Sequence, residues 1–298
     1  MQHLVTDIQR FCLSDGPGIR TVVFFKGCNL RCAWCHNPET LSFDPDLMHY
    51  PAKCIGCGKC FSACPVGAHK VVNGTHTVDR ALCIKCGRCA DLCYADALVM
   101  SGKEMTVEEI MAEVRQDKPY YEASGGGVTL SGGEVLCHLP FALQLVRACR
   151  EEGISVAIET NLSLPYADIK PLLDAVDIVM ADFKLYDEQM HRKYTGASRQ
   201  NVLDNLCAIC DKPLIVRTPL IPGVTATEEN LRPIAEMLAK KENLVYYQLL
   251  NFNPLGGSKY ESLNAKNCFR EARPFTNEEM QAFGSMLSDI SVKIKVGE

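Results

Sequence analysis

The sequence predicts an α/β protein, a partial (β/α)6-type open barrel interrupted early by a small cysteine-rich α+β insert. Two observations predict the barrel. Short, almost continuously apolar β-rich runs alternate with segments of helical periodicity, the pattern of parallel strands covered by helices. About six or seven such units can be counted, fewer than the eight of a closed barrel. A third observation predicts the insert: residues 51–102 are crowded with Cys, Gly and Lys and lack long periodic segments. The chain has 298 residues, 47% of them hydrophobic, enough to bury a large core. That core is expected to comprise 1–50 and 103–298.

Thr21 to Phe25 is an apolar, β-rich run ending at Lys26-Gly27, so the segment that follows should leave the C-terminal end of a strand. After the insert, Thr106-Val-Glu-Glu109 has the capping-box form, and Val107, Ile110, Met111 and Val114 recur at helical spacing up to Lys118-Pro119. Strands are expected at Val128–Leu130, Ser155–Glu159, Asp177–Ala181, Leu214–Arg217, Val245–Leu250 and Val292–Val296. Helices are expected near 139–152, 165–174, 227–241 and 276–288.

With 31 basic and 36 acidic residues the formal charge is −5, and no Lys/Arg block occurs. Nucleic acid and anionic membrane are therefore not expected partners. The N-terminus lacks a signal-peptide pattern and no stretch approaches 18 apolar residues, so a cytoplasmic protein is expected. The 17 cysteines have spacings that suit metal ligation. Cys28, Cys32 and Cys35, at C-x3-C-x2-C, can hold three irons of a [4Fe–4S] cubane and leave the fourth open. The runs Cys54, Cys57, Cys60, Cys64 and Cys83, Cys86, Cys89, Cys93 each have the ferredoxin spacing, and they start 29 residues apart. Ferredoxin-type exchange of the fourth ligand would group Cys54, Cys57 and Cys60 with Cys93, and Cys83, Cys86 and Cys89 with Cys64. Structural zinc is the alternative for C-x2-C pairs. It usually takes two separated pairs rather than four cysteines with the last at x3.

Ligands of parallel α/β sheets sit at the C-terminal strand ends. Here these ends carry Cys28–Cys35, Ser131-Gly132-Gly133-Glu134, Glu159-Thr-Asn161, Asp182-Phe183-Lys184, Arg217-Thr-Pro and Asn251-Phe-Asn253. Each is weak evidence singly; together they converge on one cavity beside the open iron. Such a cavity suits a cationic, zwitterionic ligand with a nucleoside. Amine and carboxylate chelate iron, glycines allow close backbone approach, and carboxylates bind an ammonium or ribose hydroxyls. S-Adenosylmethionine (SAM) has all these groups. Trp34 is placed to pack on adenine, shield the cluster or simply fill core.

Asp15-Gly-Pro-Gly-Ile-Arg20, Phe25-Lys-Gly-Cys28 through Cys35-His-Asn-Pro-Glu39, Ser124-Gly-Gly-Gly-Val-Thr129 with Ser131-Gly-Gly-Glu134, Asp182-Phe-Lys184 and Arg217-Thr-Pro-Leu-Ile-Pro-Gly223 resemble the radical SAM superfamily. More narrowly, they resemble its glycyl radical enzyme activating enzymes with a ferredoxin-like two-cluster insert; the pyruvate formate-lyase activator lacks that insert. The resemblance implies reductive cleavage of SAM and hydrogen abstraction from a glycine Cα of a partner glycyl radical enzyme. It implies three [4Fe–4S] clusters, a flavodoxin or ferredoxin as electron donor, and a monomer. By motif match Trp34, Cys35, His36, Gly132 and Gly133 would contact SAM and Glu134 its amino group. Asp182, Phe183 and Lys184 would meet its ribose, its carboxylate or an associated monovalent cation. Arg217 would neutralise a carboxylate or hold the glycine loop. Glu159 and Asn253 depart from the family's usual Asp and His, which alters any cation site and removes a possible charge.

Two other functions fit parts of the pattern: a radical SAM peptide-modifying maturase, and a multi-cluster electron carrier. The carrier would not need the polar strand ends. Cys12, Cys137, Cys149, Cys207, Cys210 and Cys268 are expected to be bystanders, Cys207 and Cys210 as buried thiols of a helix. His69, His76 and His191 are expected at the surface.

Overall fold

The computed structural model describes residues 4–297. Its N-terminal strand β1 (Leu4–Cys12) pairs antiparallel with β2 (Arg20–Phe25). The sequence reading did not anticipate β1. Only Leu4 and Val5 are buried in it, and its exposed remainder reads as polar chain. After the Cys28–Cys35 loop, β3 (Asp46–His49) enters the insert. There α1 (Lys59–Ala63), the hairpin β4 (His69–Val72) with β5 (Thr75–Val78), and α2 (Arg88–Asp91) follow. β6 (Leu98–Ser101) returns antiparallel on β3, closing the base of the segment, and β7 (Lys103–Glu104) pairs with β1.

The chain then alternates. α3 (Val107–Arg115) begins on the expected capping box, with Thr106 and Glu109 bonding each other's backbone N–H. Lys118-Pro119 starts a second helix, α4 (Lys118–Ser124), where a helix end alone was expected. Proline is tolerated in the first turn because its missing N–H has no intrahelical role there. β8 (Gly127–Gly132), α5 (Leu139–Glu151), β9 (Ser155–Thr160), α6 (Tyr166–Ala175) and β10 (Ile178–Asp182) come next. Two helices, α7 (Glu188–Thr195) and α8 (Gln200–Ala208), precede β11 (Leu214–Pro219). α9 (Glu228–Leu238), β12 (Leu244–Leu250), α10 (Gly257–Leu263), α11 (Asn277–Ser285) and β13 (Ile294–Val296) complete the chain.

Among the described residues the main sheet has nine strands in the order β13-β12-β11-β10-β9-β8-β2-β1-β7. From β2 to β13 every neighbouring pair is parallel. Because the parallel strands follow chain order along one direction, their C-terminal ends fall on one rim, which is where the chemistry-bearing residues lie. The core between strands and helices is built of apolar side chains, with Val23, Leu130, Ile158, Val179, Val216 and Leu249 inaccessible.

Arg20 is a polar tie in this barrel. Fully buried, it donates from Nε to Thr129 (2.7 Å) and from Nη2 to the Val128 carbonyl (2.5 Å), joining β2 to β8. Burial lowers its pKa to about 10. Arg20→Met leaves those buried acceptors unpaired and should cost about 3 kcal/mol, read as a lower denaturation midpoint with an unchanged denaturant slope.

A cavity at the strand ends

The loop after β2 is fixed by the backbone rather than by the cysteines. Gly27 adopts φ +112° and donates its N–H to the Thr40 carbonyl, while Arg31 and Ala33 donate theirs to the Thr195 and Tyr194 carbonyls at the C-terminal end of α7. Lys26, fully buried, donates to the Glu39 carbonyl and pairs with Asp46 at 3.0 Å, tying the loop to β3. Cys28, Cys32 and Cys35 consequently face one cavity of about 550 Å³.

That cavity is also lined by Trp34, His36, Gly132, Gly133, Glu134, Glu159, Asp182, Lys184, Arg217 and Asn253. Phe183 is the exception. Successive strand side chains alternate faces, so Asp182 and Lys184 face the cavity while Phe183 is wholly inside the helix-side core. Its side chain does not line the cavity.

The two glycines of the β8 turn are explained by protein backbone. A Cβ on Gly132, at φ +109°, would lie 2.2 Å from Phe25 N, and one on Gly133 would lie 2.3 Å from the Gly27 carbonyl oxygen. The Gly133 and Glu134 amides are already donated to Phe25 and Gly27. The glycines therefore press the turn against the cysteine loop and carry Glu134 beneath it.

Glu134 is buried. It accepts from Thr160 Oγ1 (2.7 Å) and from the N–H groups of Asn161 (2.8 Å) and Leu136 (3.1 Å). Burial outweighs these bonds and pushes its pKa up to about 7. Lys184 donates to Asp182 at 2.7 Å; burial opposes its charge, but Asp182 and the Cys32 thiol hold its pKa above the ordinary value. Burial raises the pKa of the Cys28 and Cys32 thiols, and it pushes that of Cys35 up to about 12. Thiolates at these positions call for cations supplied from outside the chain. Glu159 is held by Arg217 Nη1 and by the Ser131 hydroxyl, both at 2.5 Å, and Arg217 also donates to the Ser14 carbonyl. Trp34 packs on Leu185, Ile221, Val224 and Phe252 while also lining the cavity. Asn253 spends its side-chain oxygen on the Leu255 N–H.

Several lining residues escaped sequence reading. Thr6, Asp7 and Gln9 come from β1, which was not expected. Lys259 of α10 reaches Asn37 and Glu39 at 2.7 and 2.6 Å. Gln248 interrupts the apolar run of β12 at the same level as Arg217, its parallel neighbour. A polar residue near the end of a buried strand was a usable signal.

In the insert, Cys54, Cys57, Cys60 and Cys93 line one hollow of about 310 Å³ together with His76. Cys64, Cys83, Cys86 and Cys89 line a second, smaller one with His69, and Cys89 borders both. Three surface expectations fail. His69 and His191 are buried, the latter on the inner face of α7 with Nδ1 2.8 Å from the Ala197 carbonyl oxygen, and His76 is half-buried. Conversely Cys207 and Cys210 are exposed, Cys207 on α8 outside its buried residues Val202, Asn205 and Leu206, and Cys210 beyond the end of the helix at Ala208.

A sequence model described as the Radical SAM superfamily matches residues 22–238. The chain belongs to the radical SAM superfamily. It is 39% identical to the (2S)-3-sulfopropanediol dehydratase activating enzyme of Klebsiella oxytoca, covering 87% of this chain and 85% of that one. It is 42% identical to the isethionate sulfite-lyase activating enzyme of Oleidesulfovibrio alaskensis, with 87% and 86% covered. Against the trans-4-hydroxy-L-proline dehydratase activating enzyme of Clostridioides difficile it is 35% identical over 100% of both chains. These relatives place this radical SAM chain among the activating enzymes of glycyl radical enzymes, oxidoreductases that use SAM and a [4Fe–4S] cluster. A solved structure of Streptococcus suis SuiB with its precursor peptide SuiA superposes with a TM-score of 0.53 at 12% identity, covering 88% of this chain and 43% of that one; this shows the shared fold. Among the described residues, no helix is long and apolar enough to cross a membrane.

Proposed function

We propose that Cys28, Cys32 and Cys35 hold a [4Fe–4S] cluster with one open iron, and that the cavity around them binds SAM for activation of a partner glycyl radical enzyme. The donor set fits that cluster: three thiols on one rigid loop, too few to close a cubane, beside the ammonium of Lys184. Bound there, the cluster supplies the electron that splits SAM into methionine and the 5′-deoxyadenosyl radical, which removes hydrogen from a glycine Cα of the partner.

Glu134, ready to ionise near neutrality, takes the ligand ammonium. Lys184 and Arg217 meet the carboxylate side of the ligand, with Asp182 and Glu159 holding those cations in place. Asp182 also offers a free oxygen to the ribose or to a monovalent cation. Trp34 and His36 wall the cavity at the cysteine loop, and Asn253 offers its amide N–H₂. In the insert, Cys54, Cys57 and Cys60 with Cys93, and Cys83, Cys86 and Cys89 with Cys64, hold two auxiliary [4Fe–4S] clusters that relay electrons from a flavodoxin or ferredoxin. The grouping of these thiols around two hollows supports this exchange of fourth ligands. We read the protein as a cytoplasmic monomer. Its partner would belong to the broad class served by its relatives, dehydratases and carbon–sulfur lyases.

The observation that carries this reading is the convergence of the three thiols, Glu134 and the Asp182–Lys184 pair on one cavity. Anaerobically reconstituted, dithionite-reduced protein should release 5′-deoxyadenosine from SAM, and a glycyl radical signal should appear when the partner is added. An electron carrier would release none. A peptide maturase would release it but would leave no radical on a glycyl radical enzyme.

Ligand affinity should follow the Glu134 titration. Its folded pKa, about 7 against an ordinary 4.5, means that protonation favours the ligand-free fold. That stabilisation is complete below about pH 4.5 and lost as pH rises through 7. An ammonium ligand needs the ionised form, so its Kd should weaken about tenfold per unit as pH falls below 7. Calorimetry should show this slope for the native protein and its loss in Glu134→Gln.

A further inference from the structure

Three of the seven histidines, His49, His69 and His76, gather beside the cysteine hollows of the insert. The rings of His49 and His76 meet edge-on at 4.6 Å. Nδ1 of His69 lies 2.9 Å from Nε2 of His76. His76 lines the hollow of Cys54, Cys57, Cys60 and Cys93, whereas His69 lines the other. On its far side, His76 places Nδ1 3.7 Å from the Cys54 sulfur.

Nε2 of His76 also lies 3.8 Å from the Cys60 sulfur. A neutral imidazole has one N–H and one lone pair, so the two facing nitrogens of His69 and His76 share a single proton. With that proton on His69 Nδ1, His76 accepts at Nε2 and donates from Nδ1 to Cys54. With it on His76 Nε2, the N–H faces Cys60 as well as His69. Either way His76 gives an N–H to one sulfur of this set, and the proton shared with His69 decides which.

We propose that the His69–His76 pair is a hydrogen-bonded strut between the two cysteine sets, in which the proton shared with His69 directs the N–H of His76 to the sulfur of Cys54 or of Cys60, setting the potential of the cluster held there. The inference rests on the reading of the insert as a two-cluster module. N–H groups donated to cluster sulfurs favour the more negative, reduced state and raise the reduction potential. His76 acts on the cluster through Cys54 or Cys60, and His69 acts through His76; both are positioning residues.

The test is an EPR-monitored redox titration of the full, reconstituted chain, with iron and zinc counted on the same samples. His76→Leu should disfavour reduction of one auxiliary cluster about tenfold, about 59 mV for one electron, with the SAM-binding cluster unchanged. His76→Asn, which keeps a side-chain N–H donor, should restore part of the difference. His69→Leu should shift the same cluster in the same direction, and it carries the comparison if the leucine variant at position 76 fails to load. Unshifted potentials at about twelve irons per chain would overturn the strut alone. A wild-type chain holding only about four irons would refute the two-cluster reading beneath it. The ligand atoms of Cys60, His69 and His76 lie within 4.8 Å of one another, so one zinc per chain, lost in both histidine variants, would also overturn the strut.

Discussion

Cys32→Ala should abolish 5′-deoxyadenosine release from SAM while the fold and the irons of the insert are kept. Cys32 sits mid-loop, and the residues that fix the loop, Gly27, Arg31 and Ala33, do so through backbone N–H groups that the substitution leaves alone. What is lost is one of three thiols around the open-iron site, and two thiolates hold a cubane poorly. Iron analysis should therefore fall by about four per chain with little change in melting temperature. Cys57→Ala provides the contrast. It alters a hollow in a different segment and should leave cleavage measurable with dithionite while slowing it with a protein donor.

Lys184→Met should have the next largest effect. The Lys184 ammonium lies 2.7 Å from Asp182, and its side chain is 11% exposed. Removing it leaves a carboxylate facing the cysteine loop without its cation, the costly way to break a shielded pair. It also takes away a positive charge where a ligand carboxylate and the thiolates would meet. A loss of about 100-fold in kcat/KM for SAM cleavage is expected. Lys184→Arg, which keeps the charge but changes its shape, should fall between the two. Activity of the methionine variant within about threefold of wild type would remove Lys184 from the binding machinery.

The sequence pattern carried the parallel core because buried strands leave an unmistakable record: Val128–Leu130, Ser155–Glu159 and Leu214–Arg217 are apolar runs, and each strand forms within one or two residues of expectation. The rim was readable for a related reason. A strand buried on both faces has no use for Glu134, Asp182, Lys184 or Arg217 except at its open end. What was not readable depended on tertiary packing. β1 shows only two buried residues, so its pairing with β2, and with it the contribution of Asp7 and Gln9 to the cavity, left no periodic trace. Phe183 was taken with its motif neighbours although strand alternation turns it away. His191 and His69 were assigned to the surface, yet each is buried and finds a hydrogen-bond partner within the fold. For Cys207 and Cys210 the expected helix ends at Ala208, short of Cys210, and Cys207 falls outside the residues that α8 buries, so both thiols are exposed.

The cavity at the strand ends has its most direct test in the EPR spectrum of the reduced, anaerobic protein before and after SAM is added. One cubane signal should change on addition, the others should not, and the responsive signal should be missing from Cys32→Ala. A spectrum indifferent to SAM, or protein that returns zinc in place of iron, would contradict an open iron held by Cys28, Cys32 and Cys35.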